Sequence, residues 1–259
     1  MMFGAPFLLE HGSVEEACRM TRELGLDFLE LNSNFPACQV DGMTAETLLA
    51  LQAKYGIAMT LHIEEDCDPF TFQPRVRSAW LASVAATLQL ARAANIRIIN
   101  MHMPHGVYMT LPTRRVYMYD RYQAEYDQAL HAFRQLCEET LQGSDVRIAI
   151  ENTNGFQPHE QRAIDFLLAS PVFGLTLDIG HLHCNGEADL PFYQRHHDRL
   201  IHLHAHDARG RQDHLPFGEG DIDLSARLAW AERNGATVLL EVKTRQALGQ
   251  TVQRLRQGL

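Results

Sequence analysis

The chain has 259 residues, enough for one barrel-sized α/β domain or two small ones. Hydrophobic residues make up 46% and charged residues 21%, ordinary globular usage that excludes a disordered, collagenous or low-complexity protein. The net charge is −9, from 23 Lys and Arg against 32 Asp and Glu, which argues against a nucleic-acid partner and does not separate neutral from phosphorylated small substrates.

Five widely spaced cysteines without a CxxC pair read as free thiols in a reducing compartment. No apolar stretch approaches a membrane span, and the start of the chain lacks a basic, signal-like segment, so a cytoplasmic location is expected. The unusual count is 14 histidines, eight of them between His181 and His214. Histidine is a frequent metal ligand and proton carrier, so that segment directs attention first.

In chain order, apolar and β-branched runs predict strands at 3–8, 27–31, 57–62, 96–102, 146–151, 173–178, 200–204 and 237–241. Three- and four-residue apolar spacing predicts helices at 13–24, 44–55, 75–93, 122–142 and 223–233. Ser13 with Glu16 reads as a capping box and Thr44 as a simple cap. Gly25, Gly56 and Gly235 each follow a helix and precede a strand. Eight strands alternating with helices, and no GxGxxG turn after the first, predict a single (β/α)8 TIM barrel over residues 1–259. Long segments at 63–74, 103–121 and 205–222 all follow carboxyl ends of strands, the face where barrels carry their sites. The aromatic stretch from Val107 to Tyr119 reads as a lid, a subunit contact or a loop packed on its own barrel; an oligomer is left open.

Acidic or imidazole side chains stand at seven of the eight predicted strand ends. Strand two ends Glu30-Leu31-Asn32, strand three at His62, strand four at His102, strand five at Glu151-Asn152 and strand six at Asp178. Strand seven ends His204-Ala205-His206-Asp207, and strand eight at Glu241. Side chains on this rim converge on the barrel axis, where several ionised carboxylates repel unless a cation neutralises them. The set Glu151, Asp178, His204 and Glu241 is therefore expected to bind a divalent metal, with Mn, Zn, Co or Mg as candidates and Ca disfavoured by the imidazole. His206 is the second choice for the imidazole ligand, and His202 lies deeper on the same strand face. His183 and His105 are candidate pocket-lining groups, whereas His131, His159, His196 and His197 are expected to lie away from the rim.

The segments IENTNG (150–155), LDIGHLHCNG (177–186), HAHDARG (204–210), HLPFGEGDID (214–223) and LLEVKT (239–244) resemble the xylose-isomerase-like TIM-barrel superfamily. That group includes sugar and sugar-phosphate isomerases and epimerases, and the endonuclease IV type of apurinic endonuclease (AP endonuclease family 2). The resemblance to the epimerase branch implies one metal on Glu151, Asp178, His204 and Glu241. The endonuclease branch implies two further zinc ions, with His62, His102, His181 and His214 as added ligands. That branch expects an acid where this chain has Gln212, with Asp213 adjacent. The acidic run after His62 also counts against DNA as a substrate.

The leading expectation is a metal-dependent sugar or sugar-phosphate isomerase or epimerase, moving a proton alpha to a carbonyl through a metal-stabilised enediolate. Glu151 and Glu241 form the acid/base pair, being well separated around the rim. His181 and His62 contact substrate hydroxyls, Arg209 or Arg211 grips a distal group, and Asn32 is a further candidate substrate contact. The alternative is a multi-zinc phosphodiesterase or AP endonuclease. A polyol-ketone dehydratase and a non-catalytic sugar-binding barrel stand behind it.

Overall fold

The computed structural model describes residues 1–258. Buried apolar runs do form the eight strands: β1 (Phe3–Pro6), β2 (Phe28–Asn32), β3 (Ala58–His62) and β4 (Ile98–His102), then β5 (Arg147–Glu151), β6 (Phe173–Asp178), β7 (Leu200–Ala205) and β8 (Thr237–Leu240). They close into a parallel barrel in chain order, with β1 pairing β8 through Phe3–Val238 and Gly4–Leu239. Register sets the rim: Asn32 lies opposite His62, His102 opposite Glu151, and Asp178 opposite His204.

Local signals place most of the outer helices. Thr44 Oγ1 accepts from Thr47 N at 3.2 Å and caps Ala45–Tyr55, which ends at Gly56 in the left-handed region. Ser13 Oγ accepts from Glu16 N at 3.2 Å, but the reciprocal half of the predicted box is not made, because Glu16 Oε2 takes the Gly12 N–H instead. Pro74–Ala93, Gln123–Leu141 and Leu224–Asn234 fall where apolar spacing puts them. Pro158–Leu168, Ile179–Cys184, Leu190–Arg195 and Arg245–Arg256 are additional; the last buries only Leu248, Thr251 and Val252, too sparse a stripe to show in the sequence. Among the described residues, no helix is long and apolar enough to cross a membrane.

Strand limits differ from the periodicity by one or two residues in seven of the eight strands, and two of the carboxyl ends bear on the rim. β1 stops at Pro6, after which Phe7 N still donates to Glu30 O and the chain turns, with His11 Nδ1 accepting from Leu8 N. β8 stops at Leu240, although Glu241 N keeps one ladder bond to Ala205 O at 2.9 Å. Two of the long rim segments fold into hairpins, Tyr108–Thr110 with Arg115–Tyr117 and Asp207–Arg209 with Gln212–Leu215. The first is anchored by its base: Tyr119 is buried, donates to Asp68 at 2.6 Å and stacks on Tyr126 at 4.2 Å. Its turn at 111–114 and its first strand, with Tyr108 and Met109, are exposed.

Candidate metal centre and its surroundings

Glu151, Asp178 and His204 finish three neighbouring strands, and Glu241 follows the fourth, so their side chains meet on one arc of the rim. One ligand atom from each lies within 4.8 Å of the others. His204 Nδ1 stands 3.0 Å from Glu151 Oε1 and 2.9 Å from Glu241 Oε2. Both ring nitrogens of His204 and Glu241 Oε2 are buried and lack a hydrogen-bond partner. Three carboxylates and an imidazole with orphaned donor atoms fit a divalent cation of the Zn, Mn, Co or Mg group. Electrostatics agree. Burial opposes charge on His204, yet Glu151, Glu241 and Glu30 outweigh it and raise its pKa well above the ordinary imidazole range. Burial likewise works against the Glu151 carboxylate, and His204 and His102 overcome it, holding that carboxyl well below the usual range.

A second group adjoins the first. His62 Nε2 and His102 Nε2 lie 3.3 and 3.5 Å from Glu151 Oε2, which also accepts from Asn100 Nδ2. His62 Nδ1 lies 2.6 Å from the Ile63 carbonyl, so that nitrogen carries a proton and Nε2 is the one that faces Glu151, whose charge raises the imidazole pKa against the effect of burial. His62, His102 and Glu151 thus form a second set of metal-ligand type.

His206, His214 and Glu241 form a third set of that type, and Asp213 links His214 to His181. The Asp213 carboxylate reaches His181 Nδ1 at 3.4 Å and His214 Nδ1 at 3.0 Å, while Gln212 is exposed. His214 Nε2 lies 3.6 Å from Glu241 Oε1. His214 adopts φ 54°, unusual for histidine; its N–H donates to His206 Nδ1 at 2.7 Å and its ring stacks on His206 at 4.2 Å. His206 in turn presents Nε2 to Asp178 at 3.0 Å, so it supports a candidate ligand from behind.

Several groups near the strand ends support this arrangement through contacts that the sequence does not show. Lys243 Nζ sits 2.7 Å from Glu241 Oε1. Asp207 is buried and accepts four backbone N–H bonds, from Ala208, Gly218, Gly220 and Ile222, which ties the GEG turn to the end of β7. A side chain on Gly220 would collide with Asp207 and Ala208, and one on Gly180 with the His206 ring; both glycines in the two motifs are required by close approach. Asn152 spans β5 and β6, accepting from Asp178 N at 2.9 Å and donating to Asp178 O at 3.0 Å. Glu30 is buried beneath His204. Its position at a strand end was visible, but its partners come from β3 and β7, which only barrel closure supplies.

The remaining candidates lie outside the cluster. Arg209 is exposed and faces Asp221 at 3.6 Å, and Arg211 is exposed on the same hairpin turn. Asn32 is half-buried, and its Oδ1 is taken by the Asn34 N–H at 2.9 Å. His105 pairs with the buried Glu160 at 2.7 Å, and His159 is buried against Tyr117, Tyr119 and Tyr126.

A closed parallel barrel carrying this rim of carboxylates and imidazoles belongs to the xylose isomerase-like TIM barrel family, whose model matches residues 18–259. The uncharacterized protein MJ1614 of Methanocaldococcus jannaschii is 25% identical over 207 residues, covering 77% of each chain. Among solved structures, a D-tagatose 3-epimerase-like protein matches with TM-score 0.78 at 22% identity, over 99% of this chain and 96% of that one. The 3-keto-D-glucoside 4-epimerase YcjR of E. coli matches with TM-score 0.77 at 17% identity, over 99% of both chains. An IolI protein crystallised with a zinc atom matches with TM-score 0.73 at 14% identity, over 99% and 94%.

Proposed function

We propose that this chain is a divalent-metal-dependent sugar or sugar-phosphate isomerase or epimerase, acting on a proton next to a carbonyl. The observation that carries the reading is the placement of Glu151 and Glu241 on two sides of His204 Nδ1, at 3.0 and 2.9 Å. The descriptions of the epimerases among the similar structures, and the zinc recorded for the IolI protein, support it. Glu151, Asp178, His204 and Glu241 would hold the ion. A bound divalent cation supplies positive charge for the oxygens of an enediolate.

The chain's own groups do the proton work. Glu241 takes the substrate proton on one face. Burial opposes its ionisation, but Lys243 and His204 keep the carboxyl well below its ordinary range and ready to accept. Glu151 serves the other face, and its second oxygen, beside His62 and His102, gives the proton a route onward. His62 and His181 orient substrate hydroxyls from the rim. Arg209 and Arg211, on the exposed hairpin turn, meet a distal phosphate or carboxylate, and Asn32 lines the opposite edge.

The test is solvent deuterium exchange. Metal-loaded protein in D2O is given a panel of ketoses and ketose phosphates, and label next to the carbonyl is read by mass spectrometry. The expected result is exchange into at least one member, abolished by Glu241→Gln. Exchange that survives Glu241→Gln removes the assigned role.

One observation favours a second reading, hydrolysis of a phosphodiester by a multi-zinc site. It is the convergence of His62 and His102 on the far oxygen of Glu151, a second ligand set sharing that carboxylate. Two or three zinc ions per chain by elemental analysis, with cleavage of small phosphodiesters or abasic DNA and no deuterium exchange, would establish it instead.

A further inference from the structure

Beneath the candidate metal centre lies a buried chain of hydrogen bonds that converges on Glu30, which in turn faces His204 as an ion pair. Thr237 Oγ1 is 2.6 Å from His202 Nδ1, and His202 Nε2 is 3.2 Å from Glu30 Oε2. Thr60 Oγ1 donates to the same Glu30 oxygen at 2.8 Å. Glu30 Oε1 faces His204 Nε2 at 3.3 Å. Glu30 is 3% exposed and both histidines are fully buried, so no bulk water competes for these positions.

The protons can be assigned in one consistent way. A carboxylate only accepts, so His202 Nε2 carries a proton toward Glu30 and His202 Nδ1 accepts from the Thr237 hydroxyl. Glu30 Oε2 is then occupied by two donors, Thr60 and His202. Its Oε1 is left for His204 alone, which favours a proton on His204 Nε2 and makes Nδ1, held between Glu151 and Glu241, the nitrogen that gives up its proton when an ion binds. Glu30, His202 and His204 are close enough to suggest a metal set of their own. The hydroxyls of Thr60 and Thr237 complete that trio with protons, so it needs no ion.

We propose that Glu30 is the positioning residue of the metal centre: with His202, Thr60 and Thr237 behind it, it selects the His204 tautomer that offers Nδ1 to the ion. Its negative charge also raises the donor strength of that nitrogen. The inference rests on His204 being a ligand, as in the proposed function, and is independent of which substrate is turned over.

The test is metal binding, without substrate. Zn(II) affinity is measured on the full chain by competition with a chromophoric chelator, alongside the Co(II) absorption spectrum and the thermal midpoint of metal-free protein. Glu30→Gln keeps the shape and removes the charge, and is expected to weaken Zn(II) binding about tenfold to hundredfold and to shift the Co(II) bands. Thr237→Val lies farther from the centre. It releases His202 Nδ1 and is expected to weaken Zn(II) by about threefold or more in a folded protein, so the proposal stays testable if Glu30→Gln does not fold. Zn(II) affinity within about twofold of the natural chain in both folded variants overturns it, as does a loss of metal-free stability with affinity and Co(II) spectrum unchanged. Failure of the natural chain itself to bind Zn(II) or Co(II) would instead overturn the metal reading on which this rests.

Discussion

Lys243 Nζ lies 2.7 Å from Glu241 Oε1 although the two residues are separated by only one position. In a continued strand both would point the same way but stand too far apart along it to pair. The contact exists because β8 ends at Leu240 and the chain bends, Val242 N donating to Leu240 O at 3.0 Å. Lys243 thereby keeps Glu241 ionised from the solvent side, while His204 does so from within. Glu241→Gln is expected to lower kcat for the eventual substrate by about a hundredfold or more. Lys243→Met keeps the carboxylate and is expected to cost about tenfold, the equivalent of one pKa unit. Steady-state kinetics on both variants checks the order; equal losses would mean that Lys243 contacts substrate directly.

Metal removal is expected to lower the thermal midpoint. A ligand that binds only the folded chain stabilises it by about 2.7 kcal/mol at a hundredfold excess over its Kd. Dialysis against chelator, followed by readdition of Mn(II), Co(II), Mg(II) or Zn(II), is read by scanning calorimetry. Glu151→Gln, at the junction of two ligand sets, is expected to abolish the recovery. Recovery of the full midpoint by that variant would place the ion elsewhere.

Asp207 holds three backbone N–H groups of one turn, and that of its neighbour Ala208, at 2.9 to 3.2 Å. Asp207→Ala leaves those donors without their acceptor, and a loss on the order of 3 kcal/mol in urea unfolding is expected. Because the same turn carries the hairpin bearing His214, metal affinity is expected to fall too. A change under about 1 kcal/mol would show that water replaces the carboxylate.

Gly180→Ala drives a methyl into the His206 ring, which is held between Asp178 and His214 and has nowhere to go. Overpacking of this kind costs about 1–3 kcal/mol. The prediction is a destabilised chain in which the Asp178 ligand is also displaced, read as weaker Zn(II) binding; a neutral substitution would contradict the packing described for His206.

His105 joins the fourth rim segment to the buried Glu160 at 2.7 Å. The bond to Glu160 raises the His105 pKa, burial opposing it. A pKa raised on folding adds stability that is complete below the unfolded value near 6.5 and fades as pH rises through the folded value. His105→Gln is therefore expected to cost about 1–2 kcal/mol near pH 6 and progressively less toward pH 9. Thermal midpoints of both proteins across that range decide it, since a gap independent of pH would mean the contact is made by the neutral ring.

The linear chain by itself determined the barrel and much of its rim. Strands buried on both faces must be continuous apolar runs, helices need capped amphipathic segments, and both leave marks a few residues long. The same locality exposed Glu151, Asp178, His204 and Glu241, because a charged group at the end of an apolar strand has no place in the core. What only the tertiary structure decided is pairwise and long-range. Glu30 meets His204 across the barrel, Asp213 rather than Gln212 turns between His181 and His214, and Lys243 reaches Glu241 around a bend. Arg209 and Arg211 carry no mark of their depth in the sequence, and it is the hairpin that leaves both exposed. Direction and distance across a closed sheet depend on register and strand termination. No local pattern of residues encodes either, and they are set when all eight strands pack together.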